Sequence, residues 1–284
     1  MQKLQQLHLT RLKMTDAFIE TTVLTNLLLK KDGSERSAKA AIGKYTNAVV
    51  HQFAWKEFKR GPLKNFVWAF NKLADTKSFL DTLLALQRMS MTPQRYLTAT
   101  AIQAFHTAFK GMFSAASLDA LKSQYGEKAD VDKLHADAIR LELKRTIVTS
   151  WSKRRTLFGG QQEPLPCYPD KDLTENGARL ELDPRDCKRG SDCCLRSRLS
   201  NRRKDIAAAK DALPDDKRKE TRERYRVLRQ LEKHPNSLML PKDCRRFGDA
   251  YFVLFCPDDA VVLTTNVRDI QPMADALRVP FSTP

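Results

Sequence analysis

Short, wholly apolar runs that lead straight into helix-spaced segments recur at both ends of the chain. Ala17, Phe18 and Ile19 form one such run, and Val23, Leu24, Leu27 and Leu28 follow at helical spacing. The pattern predicts a buried strand over 17–20 and a helix to about residue 31. The turn KDGSER leads to a second helix ending near Tyr45, and AVVHQFA (48–54) predicts another strand with WKEFKR as helix immediately after it. Gly61 and Pro62 are expected to break that helix and open the next, since proline suits a first helical position. The new helix carries the stripe Leu63, Phe66, Val67, Phe70 and Leu73. Thr92-Pro93 starts another, with Leu97, Ala101, Ala104, Phe105, Ala108 and Met112 on one face; Val131, Leu134, Ala138, Leu141 and Val148 give a further stripe ending near Trp151. At the far end GDAYFVLFC is an apolar segment led by Asp249, AVVLTTN a buried strand, and VRDIQPMADAL a helix. Strands that run directly into helices are the grammar of an α/β unit with a parallel sheet.

The texture changes in the middle. From SKRRTLFGGQQEPLPCYPD to about residue 195, glycine, proline and polar residues dominate, which reads as a long loop or a small embedded module. Two charged helices are expected at roughly 201–212 and 215–233. The expected organisation is an N-terminal part of one α/β domain over 12–115, a helical, cysteine-containing basic insertion over 116–235, and the C-terminal part of the same domain over 236–284. No period of 20 to 50 residues repeats, which excludes a solenoid.

Charge sharpens this division. The chain of 284 residues carries a formal net charge of +16, and between Cys187 and Arg246 there are 19 Lys and Arg against nine Asp and Glu, a surplus of ten. So concentrated a basic surface favours a polyanion, most often nucleic acid. Arg202, Arg203, Lys204, Arg222 and Arg226 are the expected phosphate-gripping residues. The N-terminal MQKLQQLHLTRLKM lacks the apolar core of a signal peptide, and Tyr251 to Cys256, among the longest apolar runs, is too short to span a bilayer. The expectation is a cytoplasmic protein with no membrane partner and reduced cysteines. Cys167, Cys187, Cys193 and Cys244 could supply a structural Zn²⁺ to a loop-rich module, but they lack the paired C-x₂-C spacing, and unligated thiols are the alternative. Cys256, inside an apolar run, reads as core. Trp55, Phe58, Phe66, Trp68 and Phe70 keep helical spacing and read as core rather than a base-stacking platform. His8, His51, His106, His135 and His234 are scattered, and no Ser-His-Asp arrangement, glycine-rich phosphate loop or dinucleotide fingerprint appears.

The polar residues at strand ends carry the chemistry. Glu20 ends the first strand, Glu57 lies in the helix after the second, Asp249 leads its apolar segment, and Asn266 and Asp269 follow the last strand. Residues at the carboxyl edge of an open parallel sheet converge on one crevice whatever their separation in sequence. Acids gathered there repel unless a cation joins them, and hard ions such as Mg²⁺ or Mn²⁺ take oxygen ligands of this kind. Capping of individual helices is the plainer account of each acid taken singly.

The segments AFIETTVLTNLLL, FAWKEFKRGPL and GDAYFVLFCPDDAVVLTTNVRDIQPMADAL together resemble a PIN-domain nuclease. The likeness covers about 110 residues at the two ends of the chain, and 90–240 have no counterpart in the minimal domain. It implies a three-layer α/β fold with a short parallel central sheet, plus the mostly helical insertion. It also implies a metal-dependent endonuclease cleaving phosphodiester bonds with Mg²⁺ or Mn²⁺, its substrate single-stranded RNA and its setting a toxin or defence effector. Glu20, Glu57 and Asp249 stand at the first three metal-ligating acids, Asn266 or Asp269 at the fourth, and Thr22 at the hydroxyl position beside the first. Glu20, Glu57, Asp249 and Asp269 are thus the catalytic expectation. Two positions depart from the family pattern: Glu20 replaces the commoner Asp, and Asn266 replaces an acid. These departures keep open a second reading, a catalytically weak or inactive PIN-like module binding nucleic acid or protein. The expected partners are nucleic acid, an inhibitor or defence protein, and a second copy of the chain.

Overall fold

The computed structural model describes residues 16–29, 34–91, 98–99, 101–106, 108, 126, 130–153, 173–182, 194–235 and 240–284. Their organising element is a four-stranded, all-parallel sheet in the order β2-β1-β5-β6, formed by β1 (Asp16–Ile19), β2 (Asn47–Val49), β5 (Ala260–Leu263) and β6 (Phe281–Ser282). β1 lies at its centre, with Phe18 opposite both Val49 and Val262. Ala17, Phe18, Ile19, Ala260, Val262 and Leu263 are all fully buried, as expected of parallel strands covered on both faces. The expected side-by-side parallel arrangement of the first, second and last predicted strands is therefore observed.

Helices α1 (Thr21–Leu28) and α2 (Ser34–Ile42) link β1 to β2, and α3 (Gln52–Phe58) follows β2. The predicted strand 48–54 is corrected here: it ends at Val49, and Phe53 and Ala54 belong to α3. His51 stops the strand. Its Nδ1 accepts a hydrogen bond from the Phe53 N–H at 3.0 Å, capping the helix. Phe53, Ala54, Trp55 and Phe58 are all buried, and a helix enclosed on several sides is as apolar in sequence as a buried strand. The expected break at Gly61 and Pro62 is also absent. Lys59–Leu63 form a π-helical turn that runs unbroken into α4 (Lys64–Thr76), the wider turn accommodating a proline with no N–H to donate. The α4 stripe is buried as predicted.

Helix α5 (Phe79–Ser90) precedes the long α6 (Val131–Ser152), which packs on α4 and α5. The predicted α6 stripe is the wrong face: Leu141 is 71% exposed and Val148 43%, whereas Ala136, Ile139, Leu143, Ile147 and Trp151 are buried. Both faces carry apolar residues at helical spacing, so the periodicity alone did not choose between them. Within the stretch expected to be loop or module, β3 (Thr174–Asn176) and β4 (Arg179–Glu181) form an antiparallel hairpin turned at Gly177, whose φ is +57°. Asn71 on α4 holds it by exchanging two hydrogen bonds with the Leu180 backbone, at 2.8 and 2.9 Å.

The charged segment forms α7 (Cys194–Ser200), α8 (Arg203–Asp211) and α9 (Lys219–Lys233). These lie outside the sheet, but not outside the core. α8 packs against α11 (Val267–Leu277), and α9 packs against α8 and α10 (Pro241–Leu254). Ile206, Ala209, Val227, Leu228 and Leu231 join the same apolar cluster as the sheet. No helix among the described residues is long and apolar enough to cross a membrane.

One consequence is measurable. Leu228 is fully buried, so Leu228→Ala should cost roughly 2–5 kcal/mol and lower a single cooperative unfolding transition seen by both circular dichroism and tryptophan fluorescence. An early, separate transition of the α8–α9 hairpin would show that it folds apart from the sheet.

Candidate functional site

The carboxyl ends of β1 and β5 are neighbours, so the residues that follow them meet in space. The Glu20 N–H donates to the Leu263 carbonyl at 3.0 Å, extending the ladder by one step beyond β1. Glu20 keeps an extended backbone (φ −79°, ψ 158°) and caps α1. Its Oε2 accepts from the Thr22 N–H at 3.0 Å, from the Thr22 hydroxyl, and from Thr264 Oγ1 at 3.1 Å. Glu20 is only 2% exposed. Burial pushes its carboxyl up to about 7; the Thr22 and Thr264 hydrogen bonds oppose that rise and the charge of Asp249 adds to it.

Glu57 reaches the same place from α3. Its Oε2 accepts from Thr21 Oγ1 at 2.6 Å. Burial pushes Glu57 up to about 8, against the Thr21 hydrogen bond and with the charges of Asp249 and Glu20 adding. Its other oxygen faces Gly248 on α10, where a Cβ would collide with Glu57 Oε1. Glycine at 248 is thus what lets α10 approach this carboxylate, and it brings Asp249 alongside.

Asp249 and Asp269 face the insertion. Asp249 Oδ1 accepts from Asn266 Nδ2 at 3.2 Å, and its Oδ2 forms an ion pair with Arg224 Nη2. Burial raises the Asp249 carboxyl despite Arg224, and Asp269 raises it further. Asp269 stands in the first turn of α11, 2.9 Å from Arg218 Nη1 and 3.6 Å from Arg224 Nη2. Burial alone would lift Asp269, but Arg224 and Arg218 outweigh it and hold the carboxyl below the usual range. Asn266 donates its N–H to Thr264 Oγ1 at 2.8 Å and spans the two aspartates with its amide, lying 3.4 Å from Asp269 Oδ2.

The five strand-end residues singled out from sequence therefore belong to one neighbourhood, but as two groups. Glu20, Glu57 and Asp249 sense one another's charge, whereas Asp269 is neutralised by arginines. In kind, the donors fit a hard divalent cation: carboxylates, an amide and threonine hydroxyls are all oxygen donors. In disposition, no three His, Cys, Asp or Glu side chains among the described residues are grouped to hold one ion, and Asp249 and Asp269 turn to Arg224 instead.

Sequence reasoning missed Arg218, Arg224, Thr21, Thr264 and Gly248. Arg224 lies between the two predicted phosphate-grippers Arg222 and Arg226, which are both exposed, yet its own side chain is only 7% exposed. The signal was present in the helical period, which puts position 224 on one face with Thr221, Val227, Leu228 and Leu231, all of them buried. Of the other basic candidates, Arg203 and Lys204 are exposed, while Arg202 is partly buried with its guanidinium 5.4 Å from the centre of the Phe255 ring. Cys244 is buried with its Sγ 3.5 Å from Lys56 Nζ. The other zinc candidates, Cys167, Cys187 and Cys193, lie outside the described residues. Trp68 packs partly buried against the core.

Comparisons with protein-family models, with curated proteins and with solved structures find no match to this chain.

Two outcomes follow from this geometry. Glu20 and Glu57 hold protons in the folded chain well above the ordinary carboxylate range, so the folded state binds more protons than the unfolded state until pH passes their raised values. Stability should therefore fall as pH rises from about 6.5 to 8.5. His51, pushed down to about 3 by burial, already matches its unfolded charge through most of that window. Thermal melts in EDTA should show a decline for wild type that is clearly smaller for Glu57→Gln; equal declines would remove Glu57 as its source. Gly248→Ala should destabilise the fold by roughly 1–3 kcal/mol through overpacking against Glu57, and its melting temperature should recover in part when Glu57→Ala is added.

Proposed function

We propose that the chain is a metal-dependent nuclease of the PIN type that hydrolyses phosphodiester bonds, with RNA as its substrate. The observation that carries the reading is the convergence of Glu20, Glu57 and Asp249, from β1, α3 and α10, on the carboxyl edge of the parallel sheet. Asp249 raises both glutamates and Glu20 adds to Glu57; packing acids in this way works against stability, and such arrangements are concentrated at functional sites.

In this reading Glu20, Glu57 and Asp249 are the residues that would hold the cation, with Asn266 beside them, after Asp249 turns from its pair with Arg224. A bound Mg²⁺ or Mn²⁺ supplies a lowered water pKa and charge neutralisation at the phosphate. The chain's own residues do the rest. Thr22 and Thr264 fix the Glu20 carboxylate from two elements, and Thr21 fixes Glu57. Glu20 is buried and Glu57 partly so, and loss of their protons becomes coupled to the arrival of positive charge. The exposed Arg203, Lys204, Arg222 and Arg226 provide a cationic surface for a phosphate backbone.

A second reading, a nucleic-acid-binding module that does not cleave, is favoured by one observation: arginines rather than acids alone complete the Asp249–Asp269 side. A cleavage assay on single-stranded RNA with Mn²⁺, with and without EDTA, separates the two. The nuclease reading expects cleavage that EDTA stops and that Glu57→Gln and Asp249→Asn each reduce by at least about 10²-fold. Retained cleavage in Asp249→Asn would overturn the site assignment, and inert wild type on both RNA and DNA would leave the binding module. In either case, neutralising Arg203, Lys204, Arg222 and Arg226 together should flatten the salt dependence of RNA binding, because fewer counterions are released. An unchanged slope would mark α8–α9 as a solvated face only.

A further inference from the structure

Arg224 is, with Lys56 and Lys59, one of the buried cationic residues among the described ones. It projects from α9 in the basic middle segment, yet its guanidinium is buried against Asp249 on α10 and Asp269 on α11. Arg218, from the turn before α9, grips Asp269 at 2.9 Å and is itself held by Asp216, with Nε 2.6 Å from Asp216 Oδ2. Asp216 also takes Arg268 Nη2 at 3.3 Å. Two positive side chains of one segment thus occupy the aspartate side of the crevice.

The closed arrangement is incompletely satisfied. Among the described residues, Arg224 Nε and Arg218 Nη2 are buried without a hydrogen-bond partner. A buried guanidinium nitrogen with no acceptor forfeits its hydration and receives nothing in exchange. The pairing of Arg224 with the aspartates therefore rests on charge and on one hydrogen bond, from Nη2 to Asp249. Another positive charge that reached the Asp249 carboxylate would leave Arg224 only Asp269, at 3.6 Å, which Arg218 already neutralises.

We propose that Arg224 is a built-in latch: its guanidinium occupies the Asp249 side of the crevice in place of a divalent cation, so that cation binding and docking of the Arg224 end of α9 exclude each other. The inference rests on the cation-binding reading of Glu20, Glu57 and Asp249, and adds that the basic α8–α9 segment governs whether that set is available. Two cations cannot both claim the partly buried Asp249 carboxylate without repulsion. Binding of the ion then shifts the segment toward an undocked state, and a latched chain shows a weaker apparent ion affinity in proportion to the fraction that is unlatched.

The test uses the full chain and Mn²⁺ alone. Isothermal titration with MnCl₂ should show at least about tenfold tighter binding to Arg224→Gln than to wild type, which corresponds to a latch closed about nine-tenths of the time. Hydrogen–deuterium exchange on the wild-type protein provides a measurement that needs no variant: Mn²⁺ should accelerate exchange of the α9 amides, 219–233, while leaving those of β1 and β5 protected. Equal or weaker Mn²⁺ binding by Arg224→Gln overturns the latch, and so does α9 exchange that is unchanged or slowed by Mn²⁺; both leave the cation-binding reading standing. If Arg224→Gln fails to fold, the exchange experiment alone decides. Absence of Mn²⁺ binding to both proteins overturns the cation-binding reading and the latch with it.

Discussion

The parallel pairing of β1 with β5 is the constraint on which the rest of the molecule depends. Asp16, Ala17, Phe18 and Ile19 align with Ala260, Val261, Val262 and Leu263, joining positions 244 residues apart. Parallel strands need a crossover connection, and here the connection is most of the protein. Because both strands point the same way, their carboxyl ends open on one crevice, and Glu20 meets Thr264 there. A slip of one residue would turn every side chain of β1 to the opposite face of the sheet and part that contact. The same pairing brings the starts of α1 and α11 together, where the Thr265 N–H donates to Thr22 Oγ1 at 3.2 Å.

The crevice that results is electrostatically divided. On the β1 and α3 side, burial raises Glu20 and Glu57 and threonine hydroxyls hold them in place. On the α9 and α11 side, arginines compensate the carboxylates, and Asp269 falls below its ordinary range. Asp249 lies on the boundary, raised by burial yet paired with Arg224. The two halves come from different kinds of structure. The first is built on the sheet and the helices that leave it; the second depends on a charged segment laid over the first. That division is the physical basis of the latch proposed for Arg224.

Much of the architecture was legible in the chain itself. The runs Ala17–Ile19 and Ala260–Leu263 are continuous apolar stretches with helix-spaced residues after them, a combination that a buried parallel strand leading into a helix satisfies. Those two runs, the α4 stripe and the boundaries of α11 are local facts, set by side-chain size and by spacing. So was the placement of Glu20, Asn266 and Asp269 at a strand end or the start of the helix after it, whereas Glu57 lies near the end of α3 and Asp249 in the middle of α10. Where reading failed, it failed at competing patterns. Phe53 and Ala54 are apolar because α3 is enclosed, which imitates a strand, and α6 carries apolar residues on two faces, so its period could not say which would be buried.

What the sequence by itself determined is thus the element type wherever one pattern had no rival, together with the chemical character of the strand-end residues. The tertiary structure alone decided which charges meet. Arg222, Arg224 and Arg226 differ little as letters, but a helix turns by about 100° per residue, so packing α9 on α10 buries the middle one against Asp249 and leaves its neighbours exposed. Gly248 is likewise an ordinary glycine in sequence and becomes decisive only when α3 lays the Glu57 carboxylate against it. Pairing of this kind is long-range and depends on orientation. It follows from how whole helices seat on the core, and no local periodicity encodes it.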